Sequence, residues 1–83
     1  MKTIVYTRFA EKQLLALPLK AQEAVEGALE AYALTGRGDV IRLTGRPALR
    51  MRIGVYRAVF NEDGTTVLAI YIGRRNEATY RGD

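Results

Sequence analysis

The chain has 83 residues, of which 48% are hydrophobic and 27% charged, and its formal net charge is +4. This length predicts one domain, residues 1–83, with a small core. The chain contains no Cys and no His, which excludes disulfides, Cys nucleophiles, His-based zinc sites and Ser-His-Asp catalysis. The Asp residues are isolated in the sequence, so we expect neither a metal ion nor an organic cofactor. Without a 20-residue apolar run or a signal-peptide pattern, we expect a cytoplasmic protein.

The first elements are a short strand and a helix. Residues 2–6 are rich in β-branched side chains and predict the strand. Thr7 stands where an N-cap begins a helix, which should run to Leu17. The predicted apolar stripe of that helix consists of Phe9, Ala10, Leu14 and Leu17, with Gln13 mostly outside it.

A second helix is predicted over residues 18–35. Pro18 disfavours the helical conformation of the residue before it and is well placed to open a new helix. Gly36 then supplies the C-terminal stop. The apolar positions recur with a period of 3.6 and are Ala21, Val25, Ala28, Leu29 and Tyr32. The two helices should form an αα-hairpin.

The second half of the chain predicts strands. A short extended piece over residues 40–43 precedes strands over residues 49–53, 56–61 and 66–72. Gly54-Val55 and the Asp63-Gly64 segment are typical of hairpin turns. The last strand is apolar throughout, so it should be central and covered on both faces. We expect a compact α+β fold of order β-α-α-β-β-β, with the αα-hairpin packed on one face of a mostly antiparallel sheet.

The positive charge is concentrated in that second half. Residues 1–41 carry five cations and five anions, whereas residues 42–83 carry eight arginines and four acidic residues. The planar arginine fork suits phosphate and stacks on bases, so this bias indicates a polyanionic ligand. A solvated arginine-rich surface is the alternative interpretation.

Strand parity places three of these arginines together. A two-residue turn at Gly54-Val55 pairs Arg52 with Arg57 and Arg50 with Val59. Six apolar residues then face the helices: Leu49, Met51, Ile53, Tyr56, Ala58 and Phe60. Because opposed like charges are destabilising, the pattern predicts an anion between the arginines. Alternatively, their stems pack over the sheet and their heads stay in water.

The same register, carried through the next turn, predicts a floor for the arginines. It pairs Arg57 with Ile70 and places Leu68, Ile70 and Ile72 beneath them, a surface suited to single-stranded nucleic acid. It also puts Arg74 on the arginine side and Arg75 on the other, although a bend at Gly73 would leave that choice open.

Several segments together resemble the RelE/ParE superfamily of type II toxin proteins. They are Phe9-Ala-Glu-Lys, the Leu17-Pro18 break, Gly36-Arg-Gly-Asp-Val, Leu43-Thr-Gly, Arg52-Ile-Gly-Val-Tyr-Arg-Ala-Val-Phe, and Gly73-Arg-Arg with the late Tyr80. The RelE branch implies a metal-independent, ribosome-dependent mRNA endoribonuclease (an mRNA interferase) that inhibits translation and is restrained by a cognate acidic antitoxin. The ParE branch, the alternative, implies a non-enzymatic inhibitor of DNA gyrase.

The resemblance also implies the site residues. Its basic and tyrosine positions match Arg50, Arg52, Arg57, Arg75 and Tyr80. Arginine cannot exchange protons at neutral pH, so Tyr80 is the predicted base and Glu77 the second choice. Further contacts with RNA are expected from Arg42, Arg46, Arg74 and Arg81. This chain departs from many relatives in having arginine where some have lysine and in lacking a histidine in its tail.

Overall fold

The computed structural model describes residues 1–75, which form two helices and five strands. In chain order they are β1 (Thr3–Tyr6), α1 (Arg8–Leu15), α2 (Leu19–Thr35), β2 (Val40–Arg42), β3 (Leu49–Ile53), β4 (Tyr56–Glu62) and β5 (Thr66–Arg74). The predicted α+β order is confirmed, and the short extended piece is an additional strand, β2, that pairs with β3. Neither helix is long and apolar enough to span a bilayer.

The helix boundaries follow the predicted capping residues. The Oγ1 of Thr7 accepts a hydrogen bond of 3.1 Å from the backbone N–H of Ala10, as an N-cap does. α1 stops two residues short of the predicted Leu17. Gly36 ends α2 with a positive φ of 77°, a conformation that favours glycine, and its N–H donates to the carbonyl of Tyr32.

The buried face of α1 differs from the predicted stripe. Ala10 and Leu14 are buried, but Phe9 is 59% exposed. Gln13 instead faces the sheet, where its Oε1 accepts a 2.8 Å hydrogen bond from the N–H of Ile72. The reason is that β1 ends at Tyr6, opposite Ala69, so that none of the described strands continues beside β5 on that side. The glutamine supplies the acceptor that a strand would have supplied.

The sheet has the order β1-β5-β4-β3-β2, with β1 parallel to β5 and the other pairs antiparallel. Both helices pack on one face, which confirms the predicted αα-hairpin layer. The main core lies between this layer and the sheet. Its fully buried members include Val25, Leu29, Met51, Phe60 and Val67.

The two long hairpins differ in how their registers compare with the prediction. All five predicted β3–β4 pairs are present, including Arg52 with Arg57. Between β4 and β5 the prediction is wrong, because Arg57 pairs with Gly73 instead of Ile70. Part of the difference comes from the turn, which is centred one residue further along the chain than predicted, so that Glu62 pairs with Val67. The remainder is an irregularity at Val59/Phe60, where β5 contains one extra residue.

This bulge changes which β5 side chains lie beneath the arginines. A one-residue slip moves side chains to the other face of a sheet. Ile72, predicted for the arginine side, is therefore in the core beneath the helices. Tyr71 takes the position opposite Val59 on the arginine side. Leu68 lies on the predicted face.

A second, smaller cluster covers part of the face opposite the helices. It consists of Leu43, Ala48, Val59 and Tyr71, with Ile70 packed against it. Leu43 and Ala48 belong to the loop between β2 and β3. The backbone N–H of Leu43 donates a hydrogen bond to the carbonyl of Ala48, which joins the two ends of this loop. The sequence predicts that both faces of β5 are covered. On the face opposite the helices, the loop between β2 and β3 provides that cover.

Candidate nucleic-acid interface

Three arginines share the sheet face opposite the helices. Arg52 and Arg57 are directly opposed in the β3–β4 hairpin, and Arg50 is opposite Val59. Met51 and Ala58, which alternate with them, are buried in the main core. Strand alternation therefore directs the arginine side chains away from the helices, as the sequence predicts. We call Arg50, Arg52 and Arg57 the arginine face.

Arg52 is exposed and has a protein partner. Its Nε donates a 3.0 Å hydrogen bond to Oδ2 of Asp39, and its backbone N–H donates to the Asp39 carbonyl. The sequence predicts an anion between Arg52 and Arg57, whereas here a carboxylate of the chain neutralises Arg52. The sequence pattern marks Asp39 only as a loop residue, because its pairing depends on β2 lying against β3. The two side chains are 45% and 56% exposed, so this ion pair contributes little to stability.

Arg57 and Arg50 are shielded to different degrees. Arg57 is 4% exposed, whereas Arg50 is half-buried. Gly73 stands opposite Arg57, so no side chain from β5 competes for the space on that face. At 4% exposure the guanidinium of Arg57 is shielded together with its stem, so neither a fully exposed cationic surface nor the alternative with the arginine heads in water describes this residue.

Arg74, at the end of β5, and Arg75, just after it, have different surroundings. Arg74 pairs with Tyr56 on the helix side, and its Cζ is 5.8 Å from the centroid of that ring. Strand parity favours the arginine side for Arg74 but leaves the choice open at Gly73, and the bulge reverses that parity. Arg75 donates from Nη1 to the Gly54 carbonyl at 2.8 Å and from its backbone N–H to Val55 at 2.7 Å. These contacts tie the end of β5 to the β3–β4 turn.

The remaining candidates are divided between the two sides. Arg42 pairs with Leu49, and the side chain of Leu49 packs on the main core, so Arg42 lies on the helix side. Arg46 is exposed in the turn before β3. Glu77, Tyr80 and Arg81 lie outside the described residues. Tyr71 is on the arginine side but only 3% exposed.

The pKa values of Tyr32 and Tyr6, on the helix side, and of Asp63, in the β4–β5 turn, are shifted by their surroundings. Burial, then a hydrogen bond to Glu62 at 3.0 Å, raises the pKa of Tyr32 above its usual value. Burial and the charges of Glu26 and Glu30 raise the pKa of Tyr6. Hydrogen bonds from the backbone of Thr65 and Thr66 lower the pKa of Asp63 in the β4–β5 turn.

Comparison with known proteins relates this architecture to solved structures. No protein-family model matches the sequence, and no curated protein matches it significantly. Among solved structures, a chain of the intact E. coli RelBE toxin–antitoxin complex superposes with a TM-score of 0.77 at 19% identity, covering 93% of this chain and all of that one. This chain has a RelE-like fold.

Two further complexes agree with this assignment of the fold. A chain of RelBE2 from Mycobacterium tuberculosis gives a TM-score of 0.70 at 25% identity, covering 89% of this chain and 98% of that one. A chain of the Pyrococcus horikoshii RelE-RelB complex gives 0.74 at 20% identity, with 93% and 98% covered. The resemblance stated from the sequence is confirmed at the level of the fold. In this RelE-like fold, the arginine face occupies the sheet surface opposite the two helices.

Proposed function

We propose that this chain is the toxin component of a type II toxin–antitoxin module and acts as a metal-independent, ribosome-dependent mRNA endoribonuclease. The observation that carries the proposal is the convergence of Arg50, Arg52 and Arg57 on one face of a RelE-like fold. Arginines on a partly apolar sheet suit single-stranded RNA, which presents phosphates and unstacked bases. Cleavage of the message would inhibit translation, and the expected location is the cytoplasm.

Binding of the scissile phosphate is assigned to the accessible members of the face. Arg52 exchanges Asp39 for a phosphate at small cost, because the exposed ion pair it leaves is weak. Arg50, which is half-buried beside it, offers a second guanidinium. Two planar forks on neighbouring positions favour bidentate contacts with phosphate oxygens.

The buried guanidinium of Arg57 has a different part in the proposal. Its charge is fixed in a region from which water is largely excluded, since the residue is only 4% exposed. A preorganised charge in such a place stabilises developing negative charge without reorganisation during the reaction. Arg57 therefore supports the pentacoordinate phosphorane from beneath, while Arg50 and Arg52 hold its oxygens.

The chemical step is transesterification within the RNA. The ribose 2′-oxygen loses its proton to a base and attacks phosphorus, the bond from phosphorus to the 5′-oxygen breaks, and that oxygen takes up a proton. Arginine does not exchange protons at neutral pH. We assign the base to Tyr80, with Glu77 as the second choice, and stabilisation of the developing charge to Arg75, which the structure holds beside the Gly54 carbonyl.

A site made of arginines with one tyrosine or glutamate as the base is poorly suited to acid–base catalysis. This is the reason for the proposed dependence on the ribosome. Correct placement of the 2′-oxygen against phosphorus is worth several kcal/mol of barrier. We therefore expect the free protein to cleave naked RNA feebly. The cognate antitoxin is expected to be acidic and partly disordered, because such a segment complements a chain of net charge +4 and stabilises its fold on binding.

The proposal is tested by primer extension on mRNA from a translating extract to which the protein is added. New 5′ ends that appear only with active ribosomes, and that are lost in Tyr80→Phe, are the expected result. Matched digestion of purified mRNA without ribosomes is the control. Efficient cutting in that control, or intact message while translation stops, would overturn the proposed activity.

One observation favours the second candidate, a ParE-like inhibitor of DNA gyrase without enzymatic activity. Arg52, Arg57 and Arg75 each have a structural environment in the folded chain: an ion pair, burial and a bond to a turn carbonyl. If these three contacts explain the presence of the arginines, no RNA substrate is required to account for them. A gyrase supercoiling assay separates the two candidates, since inhibition at concentrations that leave ribosomal mRNA intact supports only the second.

A further inference from the structure

A cavity lies on the same sheet face, towards the β4–β5 turn. Its volume is about 280 Å³, several times the ~30 Å³ that one water occupies in the liquid. Val5, Leu68 and Asn61 form one row of its lining across three neighbouring strands, because Leu68 pairs with Val5 on one side and Asn61 on the other. The aliphatic members give it a flat apolar floor, of which Val5 is 44% exposed.

Asn61 gives this cavity its polar character. Its Oδ1 is shielded from solvent and has no hydrogen-bond partner among the described residues. An unsatisfied buried acceptor is a destabilising feature that calls for an explanation. Asn61 lines the cavity, and the broad wells of its terminal torsion let the side-chain amide adjust towards a ligand bound there. A ligand that donates a hydrogen bond there would remove the penalty.

The neighbouring carboxylates are already engaged. Glu62 accepts hydrogen bonds from Lys2 and Tyr32, and Asp63 accepts three from Thr65 and Thr66. Each oxygen of Glu62 thereby has a donor, so Glu62 does not compete with Asn61 for a donor on a ligand, whereas the three donors to Asp63 all bind Oδ1. The negative charge of the two carboxylates disfavours a phosphate at this end of the face, so an uncharged group is the better occupant.

We propose that this cavity binds a nucleobase that bears an exocyclic amino group, with the ring on Val5 and Leu68 and the amino group donating to Asn61. The proposal rests on the proposed function, in that RNA held by the arginine face supplies the base. Asn61 is two residues beyond the partner of Arg50, about 7 Å along the strand at the usual rise. A nucleotide neighbouring the scissile phosphate can therefore place its base here. Asn61 becomes a specificity-determining residue that favours cytosine over uracil.

The test uses nucleosides without phosphate, so that the arginine face does not contribute. The full 83-residue chain, labelled with nitrogen-15, is titrated with cytidine and with uridine, which have the same size and differ in the amino group and its adjacent ring nitrogen. Saturable shifts of the Val5 and Leu68 amides are expected, with about tenfold tighter binding of cytidine, as one additional hydrogen bond provides. Equal affinities, tighter binding of uridine, or shifts confined to other residues would overturn the proposal.

Two substitutions separate hydrogen bonding from shape. Asn61→Leu should abolish the preference for cytidine while leaving the unfolding temperature unchanged or higher, because it removes an unsatisfied polar group. Asn61→Asp keeps an acceptor and should keep the preference. Equal loss in both variants, or undiminished preference in Asn61→Leu, would contradict the assigned role. Arg8→Ala, which removes an exposed arginine from the helix layer, should bind cytidine as the unsubstituted protein does.

Primer extension distinguishes the failure of this inference from the failure of the proposed function. Asn61→Leu should still cleave ribosome-bound message, with cleavage spread more evenly over sites that differ in cytosine and uracil. Cytidine binding without any cleavage by the unsubstituted chain would leave the cavity in place and overturn only the nuclease. Cleavage with the same site preference in Asn61→Leu would overturn only the base site.

Discussion

The two faces of the sheet are built from the same strands but differ in what covers them. The helix side is closed by α1 and α2 and contains Phe60, Met51 and Val67, all fully buried. Within residues 1–75 the opposite side is covered only in part, by the small cluster that includes Val59 and Tyr71. Since stability increases with buried apolar area, the helix side should carry most of the folding free energy. The arginine side is thereby available for ligands.

The largest effect is expected from truncating two adjacent side chains of β4 that lie on opposite faces of the sheet. Phe60 and Val59 are both fully buried, on opposite faces of β4. We expect Phe60→Ala to lower the free energy of unfolding by about 3–5 kcal/mol, and Val59→Ala by about 2 kcal/mol. Urea denaturation measures both. Equal losses would mean that the small cluster is as important to the fold as the main core.

Arg57 sharpens the comparison because it is a cation buried on the thinly covered side. Arg57→Ala removes a shielded side chain that is 4% exposed, so we expect a loss of about 1–3 kcal/mol in unfolding free energy. Arg52→Ala, its exposed neighbour in the hairpin, should cost less than about 1 kcal/mol. Thermal unfolding of both variants provides the check. An Arg57→Ala protein as stable as the parent would refute a structural role for this burial.

Gln13 tests how the helix layer is attached to the sheet. Gln13→Leu leaves the N–H of Ile72 without its acceptor, and we expect a loss of about 1–2 kcal/mol in unfolding free energy. Gln13→Glu retains an acceptor at neutral pH and is the matched control. Hydrogen exchange at the Ile72 amide should accelerate in the leucine variant. Unchanged exchange there would show that the contact is not important for local stability.

The smallest effect is expected at the turn that joins β4 to β5, two strands that contribute side chains to both faces. The pKa of Asp63 is lowered by hydrogen bonds from Thr65 and Thr66, so its contribution to stability is present above its ordinary pKa near 3.8. That contribution is lost as the pH falls through the lower pKa of the folded state. Asp63→Asn should flatten this part of the acid unfolding profile. An unchanged profile would place the acid sensitivity elsewhere.

Local sequence patterns predict the helices and the β3–β4 hairpin because short-range chemistry determines them. Thr7, Gly36 and the Gly54-Val55 turn act within a few residues of their own positions. The register of five consecutive pairs follows from that turn alone. The position of the arginine face is therefore predictable from the local sequence.

The remainder depends on contacts between distant segments. No glycine marks the bulge at Val59/Phe60 in the sequence. The bulge nevertheless places Tyr71, instead of the predicted Ile72, beneath the arginines, and it places Arg74 on the helix side. Pairing of Asp39 with Arg52 requires β2 to lie against β3, and the turn of Gln13 towards the sheet requires β1 to end at Tyr6. None of these follows from periodicity.

The central claim is that the arginine side carries function while the helix side carries stability. Its most direct test is primer extension on ribosome-bound message with Arg50→Ala and, as a matched control, Arg8→Ala, which removes an exposed arginine from the helix layer. Both variants should unfold at nearly the temperature of the parent. We expect Arg50→Ala to lose cleavage and Arg8→Ala to retain it. Equal cleavage by the two folded variants would contradict the claim.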